Sequence, residues 1–170
     1  MDTNILIRPE IESDFEAISE ITRAAFAHEP HSAQTEQFII HALRRANALT
    51  LSLVAVGKTG IVGHIAFSPV TISDDSTAWY GLGPISVVPE LQRQGIGKAL
   101  MHEGLTRLKA LGAKGCILVG DPGYYTRFGF RCLPQLKIEA VPPENLLTLP
   151  FEASVPSGTV AFHESFGAKE

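Results

Sequence analysis

The sequence predicts one α/β (α+β) domain in which helices cover a mixed sheet, and three observations predict it. The 170 residues, 45% of them hydrophobic, can bury one substantial core and are too few for two. Apolar residues recur at three- and four-residue steps near the start and again over 94–111, as amphipathic helices require. Between and after those stretches lie β-prone runs bounded by Gly, Pro and Asp. No repeat, low-complexity tract or linker divides the chain, so 1–170 reads as a single domain.

Ile5-Leu6-Ile7 before Arg8-Pro9 reads as a short first strand. Ser13-Asp14-Phe15-Glu16 has capping-box spacing and predicts a helix start, with Phe15, Ile18, Ile21, Ala25 and Phe26 inward and Glu16, Glu20 and Arg23 wet. A second helix is expected from Thr35 to Ala46, with Phe38, Ile39, Ala42 and Leu43 inward. Leu51 to Val56 and Ile61 to Thr71 form a predicted hairpin around Gly57-Lys58-Thr59-Gly60. Trp79 to Val88 is a third long run, and Gly81, Gly83 and Pro84 within it suggest a bulge or kink. Gln94 to Leu111 is the clearest helix, with Ile96, Leu100, Leu105, Leu108 and Leu111 inward and Gly112 ending it. Cys116 to Val119 reads as a buried strand, followed by an aromatic segment from Tyr124 to Phe130. Further strands are expected near Leu136 to Ala140 and Thr159 to Phe162, in a region made loop-rich by five prolines at 134, 142, 143, 150 and 156.

A net charge of -4 and a mean hydropathy of +0.13 argue against disorder and against a nucleic-acid partner held by bulk positive charge. Met1-Asp2-Thr3-Asn4-Ile5 lacks the regions of a secretory signal, and no apolar run approaches the roughly 20 residues that span a bilayer. A cytoplasmic, non-membrane protein is the expectation, and Cys116 and Cys132 are expected as reduced thiols.

The chemistry concentrates in Leu82 to Leu100: a strand, a turn containing Pro89, then a helix opened by glycines. The first N–H groups of a helix lack intrahelical partners and sit at the positive end of its dipole, so they suit a diphosphate. Gly95 and Gly97 allow close approach, which predicts a phosphate-bearing cofactor. A P-loop is excluded because Gln92 and Ala99 stand where Gly and Ser or Thr are needed. A dinucleotide fingerprint fails at Leu100, and Gly57-Lys58-Thr59 lacks its upstream glycine, Ser52 taking that place.

Gln92-Arg93-Gln94-Gly95-Ile96-Gly97 resembles the Gln/Arg-x-x-Gly-x-Gly/Ala signature of the GNAT family, the GCN-related N-acetyltransferases. Ile85-Ser86-Val87-Val88-Pro89-Glu90 looks like the strand and turn leading into that loop, and Tyr125-Thr126-Arg127-Phe128-Gly129-Phe130 follows in the family's order. Gly120-Asp121-Pro122-Gly123-Tyr124-Tyr125 looks like a branch of bacterial N-acetyltransferases of undefined substrate. The resemblance implies a mostly antiparallel central sheet of roughly six or seven strands flanked by about four helices. It implies acetyl-CoA as acyl donor and direct transfer to a small-molecule or peptide amine, by a monomer or homodimer. It assigns the pantetheine arm to the backbone of Ile85, Ser86 and Val87, and the pyrophosphate to Gln92, Arg93, Gln94, Gly95, Ile96, Gly97 and Lys98, with Arg93 and Lys98 able to add charge. Val87 N–H matches the oxyanion donor. Tyr125, four residues before Gly129, matches the general acid, and Tyr124 is its rival.

The general base stays open. Trp79 to Val88 has no Asp or Glu where some relatives carry one. His64 is a candidate only if it faces the cleft, a lone strand histidine being more often structural, and water-relayed deprotonation is equally open. Asp121 could orient backbone near the thioester or simply serve a turn. His102-Glu103 begins a metal motif that Thr106 breaks, so no metal is expected. The segment around Phe26 to Gln37 corresponds to the family's acceptor region. The alternatives are a catalytically weak coenzyme A binding or sensing module, and an enzyme using a longer acyl-coenzyme A.

Overall fold

The computed structural model describes residues 4–170; Met1, Asp2 and Thr3, used above in reading the N-terminus, lie outside the described residues. The chain runs β1 (Leu6–Pro9), α1 (Phe15–Phe26), α2 (Glu36–Arg45), β2 (Leu51–Gly57), β3 (Gly60–Ile72), β4 (Trp79–Val87), α3 (Ile96–Ala110), β5 (Gly115–Val119), α4 (Pro122–Tyr125), β6 (Leu136–Lys137), β7 (Leu146–Pro150) and β8 (Gly158–Phe162). The main sheet is ordered β1-β2-β3-β4-β5-β7, with β8 joining the far end of β3 and β6 pairing β8. Pairing is antiparallel except at β4–β5 and β6–β8.

Side-chain alternation along the strands divides the interior into two faces. Leu53, Ala55, Ile65 and Phe67 point to the α3 side and pack with Leu100, Met101 and Leu108. Gly104 lets α3 approach the sheet, because a Cβ there would stand 2.6 Å from the Phe67 ring. Between Leu53 and Ala55, Val54 turns the other way and meets Ile18 of α1 and Ile40 of α2. A further cluster around Trp79, Ile117 and Val160 closes the β8 end.

The predicted hairpin and the two amphipathic helices form within a residue or two of their expected bounds. Three expectations need correction. The Ser13 box does not form: a 3₁₀ turn over Glu12–Asp14 precedes α1, and the Asp14 carboxylate takes the Ile11 N–H at 2.8 Å and Arg8 at 2.7 and 3.1 Å. An ionised acceptor facing a guanidinium makes stronger hydrogen bonds than a neutral serine cap. Leu111 is 61% exposed rather than inward, since α3 ends at Ala110 and Gly112 at φ 91° turns the chain so that Ala113 re-enters the core. The strand expected over Leu136 to Ala140 shrinks to two residues, because Ala140 adopts φ 64° just before Pro142 and Pro143. The sequence reading missed β7, whose apolar run is hidden between prolines, yet it pairs along the whole of β5.

Candidate active site

Strands β4 and β5 pair only through Trp79–Gly115, Tyr80–Cys116 and Gly81–Ile117. Beyond Gly81, β4 stays with β3 as far as Val87 while β5 stays with β7, so the two parallel strands part and a wedge opens. The irregularity falls at Gly83 (φ 137°) and Pro84, beside a register shift between Ile65 and Phe67. Val88 N–H donates to Val62 O at 2.9 Å. By the two-residue alternation of an antiparallel ladder, Ser86 also faces β3, and the backbone of Ile85 and Val87 faces the wedge. The Val87 carbonyl confirms that direction by accepting Gln92 Nε2 at 3.1 Å.

The turn after β4 makes the second half of the site. Arg93 at φ 65° and Gly95 at φ 90° swing the chain into α3, with Gly95 as N-cap. Ala99 N–H closes on Gly95 O at 3.0 Å, leaving the first N–H groups of α3 without helical acceptors. Neither Gly95 nor Gly97 has an atom within 3.4 Å of where a Cβ would stand, so the loop is open on its outer side.

These elements border a cleft of about 640 Å³. Ile85, Ser86 and Val87 line it from β4, and Gln92, Arg93, Gly95, Gly97 and Lys98 from the loop and helix start. Gln94 is absent from that lining, and Ile96 turns its side chain into the core at 3% exposure, so only its backbone remains with the loop. Ala25, Phe26 and Glu29 border the cleft from the end of α1 and the segment after it. Arg127 was not foreseen: it lines the cleft as well, its Nε donates to Tyr124 O at 2.8 Å and its guanidinium lies 4.6 Å from the Tyr124 ring centre. Its place in the Tyr124–Phe130 segment is the signal that could have found it. Three cations, Arg93, Lys98 and Arg127, thus surround a helix N-terminus, against one acid, Glu29.

The two tyrosines divide. Tyr124 lines the cleft, its hydroxyl 3.6 Å from the Cβ position of Gly97. Tyr125 packs edge-on behind it, with ring centres 4.9 Å apart, and continues against Phe130 at 6.3 Å. Burial, reinforced by Tyr124 and Asp121, pushes the Tyr125 phenol up to about 12. Asp121 accepts Gly123 N–H at 2.9 Å and so caps α4 as a turn residue. His64 does not face the cleft: it is fully buried, with Nε2 2.7 Å from Ser52 Oγ. Among the described residues no three His, Cys, Asp or Glu are grouped to hold a metal ion, and no helix is long and apolar enough to cross a membrane.

Strands that part beside an uncapped helix start, under a loop of this composition, define an acetyltransferase architecture. The chain belongs to the GNAT family: residues 6–133 match the family model of the acetyltransferase (GNAT) domain. It is similar to YhbS of Escherichia coli (strain K12), described as an uncharacterized N-acetyltransferase, with 36% identity over 127 residues, 74% of this chain and 73% of that protein. A GNAT family acetyltransferase from Brucella melitensis, solved in complex with acetyl-CoA, superposes with TM-score 0.86 at 45% identity, covering 96% of this chain and 98% of the other. The crystal structure of Escherichia coli YhbS in complex with CoA gives TM-score 0.88 at 30% identity, covering 98% of this chain and 94% of the other.

Proposed function

We propose that this chain moves the acetyl group of acetyl-CoA directly to an amine, the two substrates meeting in the wedge between β4 and β5. The observation that carries the reading is the parting of those strands after Gly81 beside the free N–H groups and cations of the Gln92–Lys98 loop. A diphosphate matches the helix start and Arg93, Lys98 and Arg127. An amide-bearing arm matches the outward backbone of Ile85 and Val87.

Transfer needs a neutral amine, a donor for the oxyanion and a proton for the departing thiolate. Val87 N–H, directed into the wedge, supplies the oxyanion donor. Tyr125 supplies the proton: a phenol held up near 12 by burial is fully protonated at neutral pH, so the hydrogen is in place when the thiolate leaves. A second assignment, Tyr124, is favoured by its place in the cleft lining. The acceptor is a small-molecule or peptide amine entering past Phe26 and Glu29, in a cytoplasmic setting, and Glu29 favours one carrying positive charge.

Calorimetric titration with acetyl-CoA, followed by an amine screen that reads release of free coenzyme A, tests the reading. Saturable binding that Gly95→Glu abolishes is expected, with turnover reduced at least tenfold in Tyr125→Phe. Loss confined to Tyr124→Phe transfers the acid role to Tyr124. Binding without turnover of any amine favours a coenzyme A sensing module, and no binding by the folded parent sinks the acetyltransferase reading.

A further inference from the structure

The α1–α2 face of the sheet carries a buried polar chain that acetyl transfer, as described so far, leaves unused. Glu10, just past β1, accepts Arg44 Nε on Oε2 at 2.9 Å and Arg44 Nη2 on Oε1 at 2.8 Å. Ser52 Oγ donates to the same Oε1 at 2.5 Å and lies 2.7 Å from His64 Nε2. A serine hydroxyl has one hydrogen. With that hydrogen given to Glu10, the Ser52 oxygen can only accept from His64, so Nε2 carries the ring hydrogen and Nδ1 is a bare lone pair.

That lone pair is buried without a partner, and so is Ser86 Oγ. Buried polar atoms are nearly always paired, so two orphans side by side call for an explanation. His64 and Ser86 stand directly opposite each other in the β3–β4 ladder, which puts their side chains on one face with Cβ atoms about 4.5–5.5 Å apart. The two atoms do not hydrogen-bond as the side chains stand, so linking them requires the Ser86 hydroxyl to turn toward Nδ1. Ser86 borders the cleft with its hydroxyl just beneath the surface, whereas Glu10, Arg44 and Ser52 line a separate cavity of about 310 Å³. The polar groups therefore run along the α1–α2 face of the sheet, from beside the cleft toward a second opening.

Resting on the acetyl-transfer reading, we propose that Ser86, His64, Ser52 and Glu10 form a relay that removes the proton shed by the acceptor amine. The N–H bond of the attacking nitrogen breaks as a new O–H forms on Ser86, whose own hydrogen passes to His64 Nδ1. The Nε2 hydrogen passes to Ser52 and the Ser52 hydrogen to Glu10. The sum is one N–H lost and one carboxylic O–H gained, with no oxidation or reduction, and Glu10 releases the proton into the second cavity.

The electrostatics suit this role. Burial lowers the His64 pKa to about 4, so Nδ1 is free at neutral pH, and imidazolium need not accumulate because one hydrogen leaves as the other arrives. Burial alone would raise the Glu10 carboxyl, but hydrogen bonds from Arg44 and Ser52 hold it below its ordinary value and so ionised. Glu10 and Arg44 are the charged groups that bear on His64; Val54 lies opposite it on β2, with Ile18 of α1 and Ile40 of α2 packed over that valine. A relay entering at Ser86 also accounts for a β4 without a carboxylate.

Two measurements test the relay. Nitrogen-15 NMR of the His64 ring in the folded protein should show the Nε2–H tautomer, uncharged above about pH 5; an Nδ1–H tautomer overturns the proposal. Ser52→Ala, which removes one oxygen and spares the Glu10–Arg44 pair should Glu10→Gln fail to fold, should leave acetyl-CoA affinity unchanged. Its kcat at pH 7 should fall about 10- to 100-fold, with the deficit shrinking as pH rises and hydroxide replaces the relay. A parental kcat and pH profile in Ser52→Ala overturns the relay alone. A parent that acetylates no amine overturns the transfer reading and the relay with it.

Discussion

Gln92 Nε2 donates to the Val87 carbonyl at 3.1 Å, so the loop proposed to hold the diphosphate is tied to the strand proposed to carry the oxyanion donor. One side chain thereby couples the two halves of the cleft. Replacing it with alanine removes a hydrogen bond worth about 1 kcal/mol and loosens the loop. Gln92→Ala should weaken acetyl-CoA binding about five- to tenfold by calorimetry with little change in Tm; unchanged affinity would show that the tie is dispensable.

Arg8 and Asp14 predict a pH-dependent stability. Hydrogen bonding from Arg8 holds the Asp14 carboxyl below its ordinary value, assisted by the Ile11 N–H and opposed by burial. A carboxyl depressed in the folded state contributes stability above its unfolded pKa of about 4, and that contribution is lost as pH falls through the folded value. Asp14→Asn should cost about 1–3 kcal/mol in denaturant melts at pH 7. The gap between the variant and the parent should narrow below about pH 4, and a gap independent of pH would contradict the pairing.

Gly104 tests how closely α3 lies on the sheet. An added methyl would sit 2.6 Å from Phe67, a buried ring with no room to retreat. Although alanine is the better helix former, Gly104→Ala should lower stability by about 1–3 kcal/mol, or several degrees in Tm. A stabilised variant would mean that the helix stands further off.

The cysteines should separate by labelling. Cys116 is buried on β5, where desolvation raises its pKa, whereas Cys132 is exposed and directs Sγ to Pro143 O at 3.1 Å. A thiol reagent should modify Cys132 in the native protein and reach Cys116 only in denaturant, and rapid native labelling of both would refute the core position of β5.

Local signals were legible where a short window suffices. The hairpin around Gly57–Gly60 and the helix from the Gln92–Gly97 loop follow from turn chemistry and periodicity, and the grouping of Ile85–Val87 with that loop follows from the family resemblance. Helix ends were less so, because Asp14 answers to Arg8 across the chain rather than to its own helix. β7 escaped because nothing local marks a strand framed by prolines, and Arg127 because its segment announces aromatic residues while the direction of the guanidinium is left to the fold.

The sequence by itself determined the class of sheet, the loop and the residue types beside it, since these rest on propensity and on spacing within about twenty residues. Only the tertiary structure decided where β4 leaves β5, which tyrosine lines the cleft, and that His64 joins Ser52 and Glu10 instead of the cleft wall. Each of these depends on the register between strands distant in sequence, and a shift of one residue would turn every side chain to the opposite face.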